Sequence, residues 1–478
     1  MEPASDEQAA GAGPVRRTDD TVELVLTFDD DGAVRSTPVP RVDAPAGAVE
    51  ASDALDATEV PEEPGPTVAP RAGSRRALRE KRDTRRRRRE RAGAEGGADT
   101  PVDVDVVVVG AGQAGLSAAY HLRAHGFAAA GERGWEDAER TFVVLDEAPQ
   151  PGGAWQHRWP GLTMADAHGV HELPGMPLLV PDPTEPAARA VPYYFAQYED
   201  AFDLQVQRPV RVARVRDDDG RLLVESHVVD RPDERVVWRA RGLVNASGTW
   251  TKPFWPAYPG QGQFRGRQLH THDYTTPEAL ADGHVVVIGG GTSAVQLLLA
   301  LSRVTTTTWV TRRPPLWRDE EFTPEVGRAA VALVEERTRA GLPPQSVVSV
   351  TGLPLTNAYR AGIESGVLVA RPVFSRITPT GVEWDGSPAD EGWADGPSSV
   401  EAVTLLWCTG FRAALDHLAP LHLRGPGGGI VMDGTGVAAD PRIQLVGYGP
   451  SASTIGANRA GREAVTRLRD LLDRAVRD

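Results

Sequence analysis

The sequence predicts an α/β protein of two doubly wound, Rossmann-like units, the second inserted within the first, behind a disordered N-terminal arm. Three observations carry this expectation. Val102–Val109 is a near-continuous β-branched run, as expected of a strand buried on both faces. A helical period follows at 114–125, closed by Gly126, and then a second strand-like run, Thr141–Leu145. The same order recurs as strand Val285–Ile288, helix 293–302 and strand 308–311.

Taken in order, residues 1–70 are rich in Asp, Glu, Pro and Ala, and only 22–28 is apolar enough for a lone strand. A basic block at 75–91 follows, with five consecutive arginines at 85–89. Low hydrophobicity and segregated charge predict a disordered arm over 1–100. The basic block has the charge to touch nucleic acid or an anionic membrane; the plainer expectation is a solvated tail beside its own acidic half. After the second strand–helix–strand unit, 325–340 is helical in period and 366–371 strand-like. An amphipathic helix closes the chain at 454–472.

Composition excludes several classes. The 478 residues hold 52 Lys+Arg against 66 Asp+Glu, and a net charge of −14 argues against general nucleic-acid affinity. Lys81 and Lys252 are the only lysines, so a single Arg is a weak signal in this chain. No apolar run approaches the ~18–20 residues of a membrane span, and the N-terminal segment lacks an apolar signal core. A cytoplasmic protein is expected. One cysteine, Cys408, excludes a disulfide framework, a CxxC pair and a Cys-rich zinc site. It follows an apolar run and is expected to be a buried, inert thiol. The histidines have no metal-site spacing, and no metal is expected.

The chemistry begins at Gly110-Ala-Gly112-Gln-Ala-Gly115, between a strand and a helix. In that context the first Gly permits the tight turn, the second lets backbone approach a pyrophosphate, and the third lets helix and strand pack closely. The free N–H groups of the helix N-terminus attract the phosphates. Asp146, followed by Glu147, ends the second strand where a carboxylate should hold ribose hydroxyls. The stretch between is longer than the ~20 residues expected. A polar insertion at 128–140 accounts for the excess and is expected to be an exposed loop. The second loop is Gly289-Gly-Gly291-Thr-Ser293-Ala294. Its following strand ends in Arg312-Arg313 with no acid, which suits a ribose 2′-phosphate and hence NADPH over NADH.

Two dinucleotide folds in one chain suggest two nucleotides, one of them a flavin. Gly152-Gly153-Ala-Trp155 follows the acid, as in two-dinucleotide flavoproteins. Between the folds lies Phe264-Arg-Gly266-Arg-Gln-Leu-His270-Thr-His-Asp-Tyr274. This resembles the FxGxxxHxxxF/Y fingerprint of the class B flavin-dependent monooxygenases, and the resemblance extends from about Asp103 to the end. Asn245-Ala-Ser247-Gly248-Thr-Trp250 and Cys408-Thr409-Gly410-Phe411 look like that family's two "ATG" strands. Departures are visible. Tyr274-Thr275 stands where the Baeyer–Villiger branch carries Trp-Pro, which favours the N/S-oxygenating branch, whereas Gln296 resembles the Baeyer–Villiger second motif. Gly447-Tyr-Gly449-Pro450 replaces a terminal Gly-Asp, and Met164-Ala-Asp166 occupies the region of the family's active-site Asn.

The resemblance implies an FAD-binding domain in two parts, 101–262 and 401–478, with an NADP-binding domain at 263–400 inserted between them. It implies that NADPH reduces FAD, that O2 then forms a C4a-(hydro)peroxyflavin, and that one oxygen passes to a small organic substrate, a soft N or S nucleophile before a ketone. Within it His270 and Tyr274 are the residues of turnover, coupling the two nucleotides. Baeyer–Villiger oxygenation and uncoupled NADPH oxidation stay open, as does a non-catalytic flavoprotein acting as a redox-sensing or interaction module. The oligomeric state is left open.

Overall fold

The computed structural model describes residues 24–28, 34–38, 100–167, 170–180, 182–319, 324–344, 352–386 and 392–477. The rest of the arm, including the basic block at 75–91, lies outside the described residues, as does His168. Within the arm the expected lone strand has a partner: Leu24–Phe28 pairs antiparallel with Val34–Pro38.

Along the chain, β1 (Val102–Val109), α1 (Gln113–Ala124), β2 (Thr141–Leu145), α2 (Ala187–Ala201) and the long β3 (Arg231–Asn245) build the first unit. Next come β4 (Arg267–His270), β5 (Val285–Ile288), α3 (Thr292–Leu301), β6 (Thr307–Thr311), β7 (Ala370–Pro372) and β8 (Thr404–Trp407). The chain then returns to the first unit with β9 (Asp440–Leu445) and α4 (Thr454–Arg477).

The architecture is the expected mixed α/β, Rossmann-type fold. In the first sheet β9, β3, β1 and β2 run parallel in that order. Val109 is opposite both Leu145 and Asn245, so Gly110, Asp146 and Ala246 all emerge at one carboxyl edge. One face carries α1 and α4. The other is covered by an antiparallel ladder of Val210–Asp218, Arg221–Val228 and the start of β3. The helices cross closely because small residues meet: a Cβ on Gly461 would stand 2.5 Å from Ser117 Oγ.

The second sheet is wholly parallel, in the order β7, β6, β5, β8, β4. It corrects one boundary. Strand β8 was expected in the C-terminal part of the first unit, yet it lies between β5 and β4. All four of its residues are buried, as a central parallel strand requires. The first unit therefore resumes after Cys408, not at 401. The insertion at 128–140 is a second correction. Ala128–Ala129 forms an edge strand on β2, and Ala128, Ala129 and Ala130 are buried. Alanines are small enough to tuck under a sheet edge; only the stretch beyond them is exposed.

Candidate functional site: two glycine loops and the cleft between them

At the end of β1, Gly110 turns the chain at φ +96°, and its N–H donates to Leu145 O at 2.7 Å. Gly115, inside α1, is more constrained: a Cβ there would stand 1.9 Å from Gly110 O. That approach sets how near helix and strand lie. Gly112 differs. It precedes α1 in extended conformation, and a Cβ on it would meet only Gly153 Cα, at 3.9 Å. Gly152 and Gly153, both at positive φ, bring the following loop flush against it. Trp155 packs beside this loop against the first core. The result is a trough of bare backbone at a helix N-terminus. It fits the pyrophosphate of a dinucleotide, because neither wall carries a side chain and the helix N–H groups face it.

Asp146 is buried at the end of β2, and it is not alone. Its Oδ1 accepts from Ala111 N at 3.4 Å, and its Oδ2 accepts from Arg208 Nε at 3.1 Å. Arg208 also donates from Nη2 to Glu199 of α2 at 2.8 Å. Burial pushes the Glu199 carboxyl up, against the pull of Arg208. Oδ1 of Asp146 keeps a lone pair for a ribose hydroxyl. Glu147 departs from expectation: it points outward into an exposed pair with Arg211 at 2.9 Å, because consecutive residues leave a strand end on opposite sides. Nothing in the spacing of Glu199 and Arg208 announced their part in this chain of charges.

The second loop repeats the plan. Gly289, at φ +140°, donates to Val310 O at 3.0 Å, and a Cβ on it would lie 2.2 Å from Cys408 O. Gly291 precedes α3 with nothing within 4 Å of where a Cβ would sit. Ser293 stands half-buried in the first turn, and Ala294 is fully buried in the third-glycine position. Trp309 Nε1 donates to Gly289 O at 2.6 Å, a staple that sequence reasoning missed. Arg312 and Arg313 are exposed just past β6, and neither has an ion-pair partner among the described residues. Cys408 is buried, and desolvation pushes its thiol far up, away from thiolate.

Two linkers join the units and meet: Phe254 N donates to Gly410 O at 2.9 Å, and Thr409 Oγ1 donates to Phe254 O. Gly248 and Gly410 adopt positive φ within them, and Gly447 and Gly449 do so where β9 leads into α4. Ser247 Oγ donates to Ala414 O at 2.7 Å and accepts from Asn245 Nδ2 at 3.0 Å. His417 Nε2 in turn bonds Asn245 Oδ1 at 2.7 Å. Burial pushes His417 down to about 4 from its ordinary 6.5, so the neutral ring is the donor. Its contribution to stability is therefore complete above about 6.5 and is lost as pH falls toward about 4. Thermal melts across that window should show a steep loss that His417→Gln flattens; equal slopes would refute the assignment.

His270 ends β4 opposite Trp407. Its ring is fully buried, edge-on to Phe411 at 5.0 Å. Nδ1 accepts from His272 N at 3.1 Å, so the proton sits on Nε2, beside the Gly410 backbone. Burial pushes its pKa down. It is not among the residues that line the cleft described next. Tyr274, by contrast, lines a cleft of about 310 Å³ between 156–160 and 272–275, roofed by Trp250. Its ring meets Trp159 edge-on at 6.1 Å. Among the described residues no group of acids, histidines and cysteine is arranged to hold a metal, and no helix is long and apolar enough to cross a membrane.

Known proteins share this plan. A sequence model of the pyridine nucleotide-disulphide oxidoreductase family matches residues 107–337. A solved flavin-containing monooxygenase from Stenotrophomonas maltophilia is 34% identical, with a TM-score of 0.61; the match covers 78% of this chain and 99% of that one. An oxidoreductase of Bacillus velezensis named CzcO, itself uncharacterized, is 27% identical over 199 residues, 42% of this chain and 52% of its own. The indole-3-pyruvate monooxygenase YUCCA1 of Oryza sativa is 31% identical over 218 residues, 41% of this chain and 45% of its own. The chain thus spans about half the length of these curated relatives.

Proposed function

The chain belongs to the class B flavin-dependent monooxygenases, and from that premise we propose that it uses NADPH and O2 to oxygenate a small organic substrate in the cytoplasm. It is an oxidoreductase of flavin and nicotinamide cofactors. The finer reading assigns FAD to the Gly110/Gly112/Gly115 trough and NADPH to the Gly289/Gly291 loop. The observation that carries it is the pairing of two bare-backbone helix N-termini at sheet edges joined by contacting linkers, with a cleft lined by 156–160, Trp250 and 272–275. When bound, the pair supplies hydride transfer and O2 activation, one oxygen atom going to substrate and the other to water. The chain's own residues bind, orient and exclude water. Tyr274 at the cleft, rather than the Trp of the Baeyer–Villiger branch, supports a soft N or S nucleophile as substrate.

Coenzyme choice follows from Arg312 and Arg313, whose guanidiniums stand free at the strand end where a 2′-phosphate would lie. NADPH should be preferred over NADH by more than tenfold, about 1.4 kcal/mol. Changing both arginines to Gln should raise KM for NADPH and barely touch NADH. Parent kinetics that are equal with either coenzyme would refute the preference.

The function itself is tested by measuring NADPH consumed, O2 taken up and peroxide released with a panel of thioethers, amines and ketones. Coupled oxygenation of thioethers or amines is expected. A protein that binds FAD yet leaves NADPH and O2 untouched would be a non-catalytic flavoprotein. His270 gives a sharper test, because its Nδ1 holds the fingerprint turn at His272 N while its ring packs edge-on against Phe411, next to Gly410. His270→Ala should retain flavin and raise the ratio of peroxide to NADPH consumed. A merely structural histidine would lower the melting temperature and leave that ratio unchanged.

A further inference from the structure

Arg158 is the feature of the cleft that the reading above leaves unused. It follows the Gly152-Gly153 loop and its guanidinium lies over two rings, 5.2 Å from Trp250 and 5.6 Å from Trp155. Its Nε is buried without a hydrogen-bond partner among the described residues. No carboxylate pairs with it there. Burial alone pushes its pKa down, with no acid pulling the other way. Asp273 is the one acid lining the cleft, and it is engaged: Oδ1 with His272 Nδ1 at 2.8 Å, Oδ2 with His270 N at 3.4 Å. A half-buried guanidinium without a counter-ion is costly unless an anion completes it.

Trp250 supplies the second half of the argument. It stacks on His157 at 5.6 Å with planes 6° apart and on Phe411 at 5.1 Å with planes 23° apart. His272 tilts against it at 4.8 Å. A flat, partly polar aromatic wall thus stands next to a positive charge held in a fixed plane.

We propose that this cleft takes a substrate carrying a carboxylate, with Arg158 as its counter-ion and the aromatic side chains that line the cleft, Trp159, Trp250 and Tyr274, as the wall for an aromatic or otherwise flat apolar body. The assignment rests on reading the cleft as the oxygenation site. The other anions within reach are the phosphates of the two dinucleotides. The FAD and NADP⁺ readouts of the experiment below separate those phosphates from a substrate carboxylate. The carboxylate end anchors the molecule and leaves its N or S atom free to be presented to the flavin.

Tryptophan fluorescence of the FAD-loaded protein reports occupancy, since Trp155, Trp159 and Trp250 surround the site. Phenylacetate and its neutral isostere phenylacetamide are the probes. Phenylacetate should bind the parent at least tenfold more tightly, about 1.4 kcal/mol. Arg158→Met should abolish that preference. Arg158→Lys should keep part of it, because the charge survives without the flat guanidinium. Equal affinity of the two probes for the parent, failure of phenylacetate to bind, or a preference that survives in Arg158→Met would overturn the proposal. So would an Arg158→Met protein that loses FAD, or weakens NADP⁺ as much as phenylacetate, because the guanidinium would then serve a coenzyme phosphate. A parent that purifies without FAD defeats the flavoprotein reading instead; the two probes still interrogate Arg158 in that protein.

Discussion

Arg208→Met should lower the unfolding free energy by about 3–5 kcal/mol, the usual cost of stranding buried charge. Arg208 is wedged between Asp146 and Glu199, and all three side chains are 9–13% exposed. Removing it leaves two buried carboxylates facing each other, and Glu199, already pushed up by burial, should take a proton first. Flavin content should fall as well, since Asp146 would swing from the position where Ala111 N now holds it. Glu199→Gln in the Arg208→Met background should recover part of the stability, because one stranded charge disappears. Denaturant melts of the parent, the single and the double variant give the answer. A loss below about 1 kcal/mol, in the range of an ordinary surface change, would show that solvent already screens this cluster.

Two glycines of one loop should fail in different ways. Gly115→Ala puts a Cβ where Gly110 O stands, at 1.9 Å, so α1 must move off β1. A loss of about 3 kcal/mol or more is expected, with flavin lost as a consequence. Gly112 has open space before it, limited only by Gly153 Cα at 3.9 Å. Gly112→Val should therefore melt within about 1 kcal/mol of the flavin-free parent, yet purify colourless. Melts and the flavin absorbance separate the two. A yellow Gly112→Val protein would move the flavin elsewhere.

The contrast between those glycines explains how far the sequence could be read. Strand runs of Val and Ile bounded by glycine turns are local signals, so β1, β2, β5 and the helices after them were legible to within a residue or two. The glycine loops were legible for the same reason, since backbone approach leaves its mark on residue type. Partnerships across long separations leave none. Arg208 lies 62 residues from Asp146, and Trp309 lies 20 from Gly289. Strand β8 was misassigned because a buried apolar tetrad looks the same in either sheet. That Glu147 turns outward is fixed by the strand end, which residue type does not record.

The interleaved course of the chain also bears on how the protein comes into being. Leu445 of β9 is registered against Asn245 of β3, and α4, the last helix, covers the helix that carries the first glycine loop. A ribosome emits the intervening sheet, complete in itself, before either of those closing pieces exists. Contacts of such long sequence separation close slowly, since the loop entropy is lost before the pairing is gained. During synthesis the first sheet therefore lacks β9, and α1 lacks the helix that packs against it. On the proposed flavin assignment, cofactor loading should be a late event, and a nascent protein stalled or cleaved before about residue 440 should emerge with its second sheet folded and without flavin.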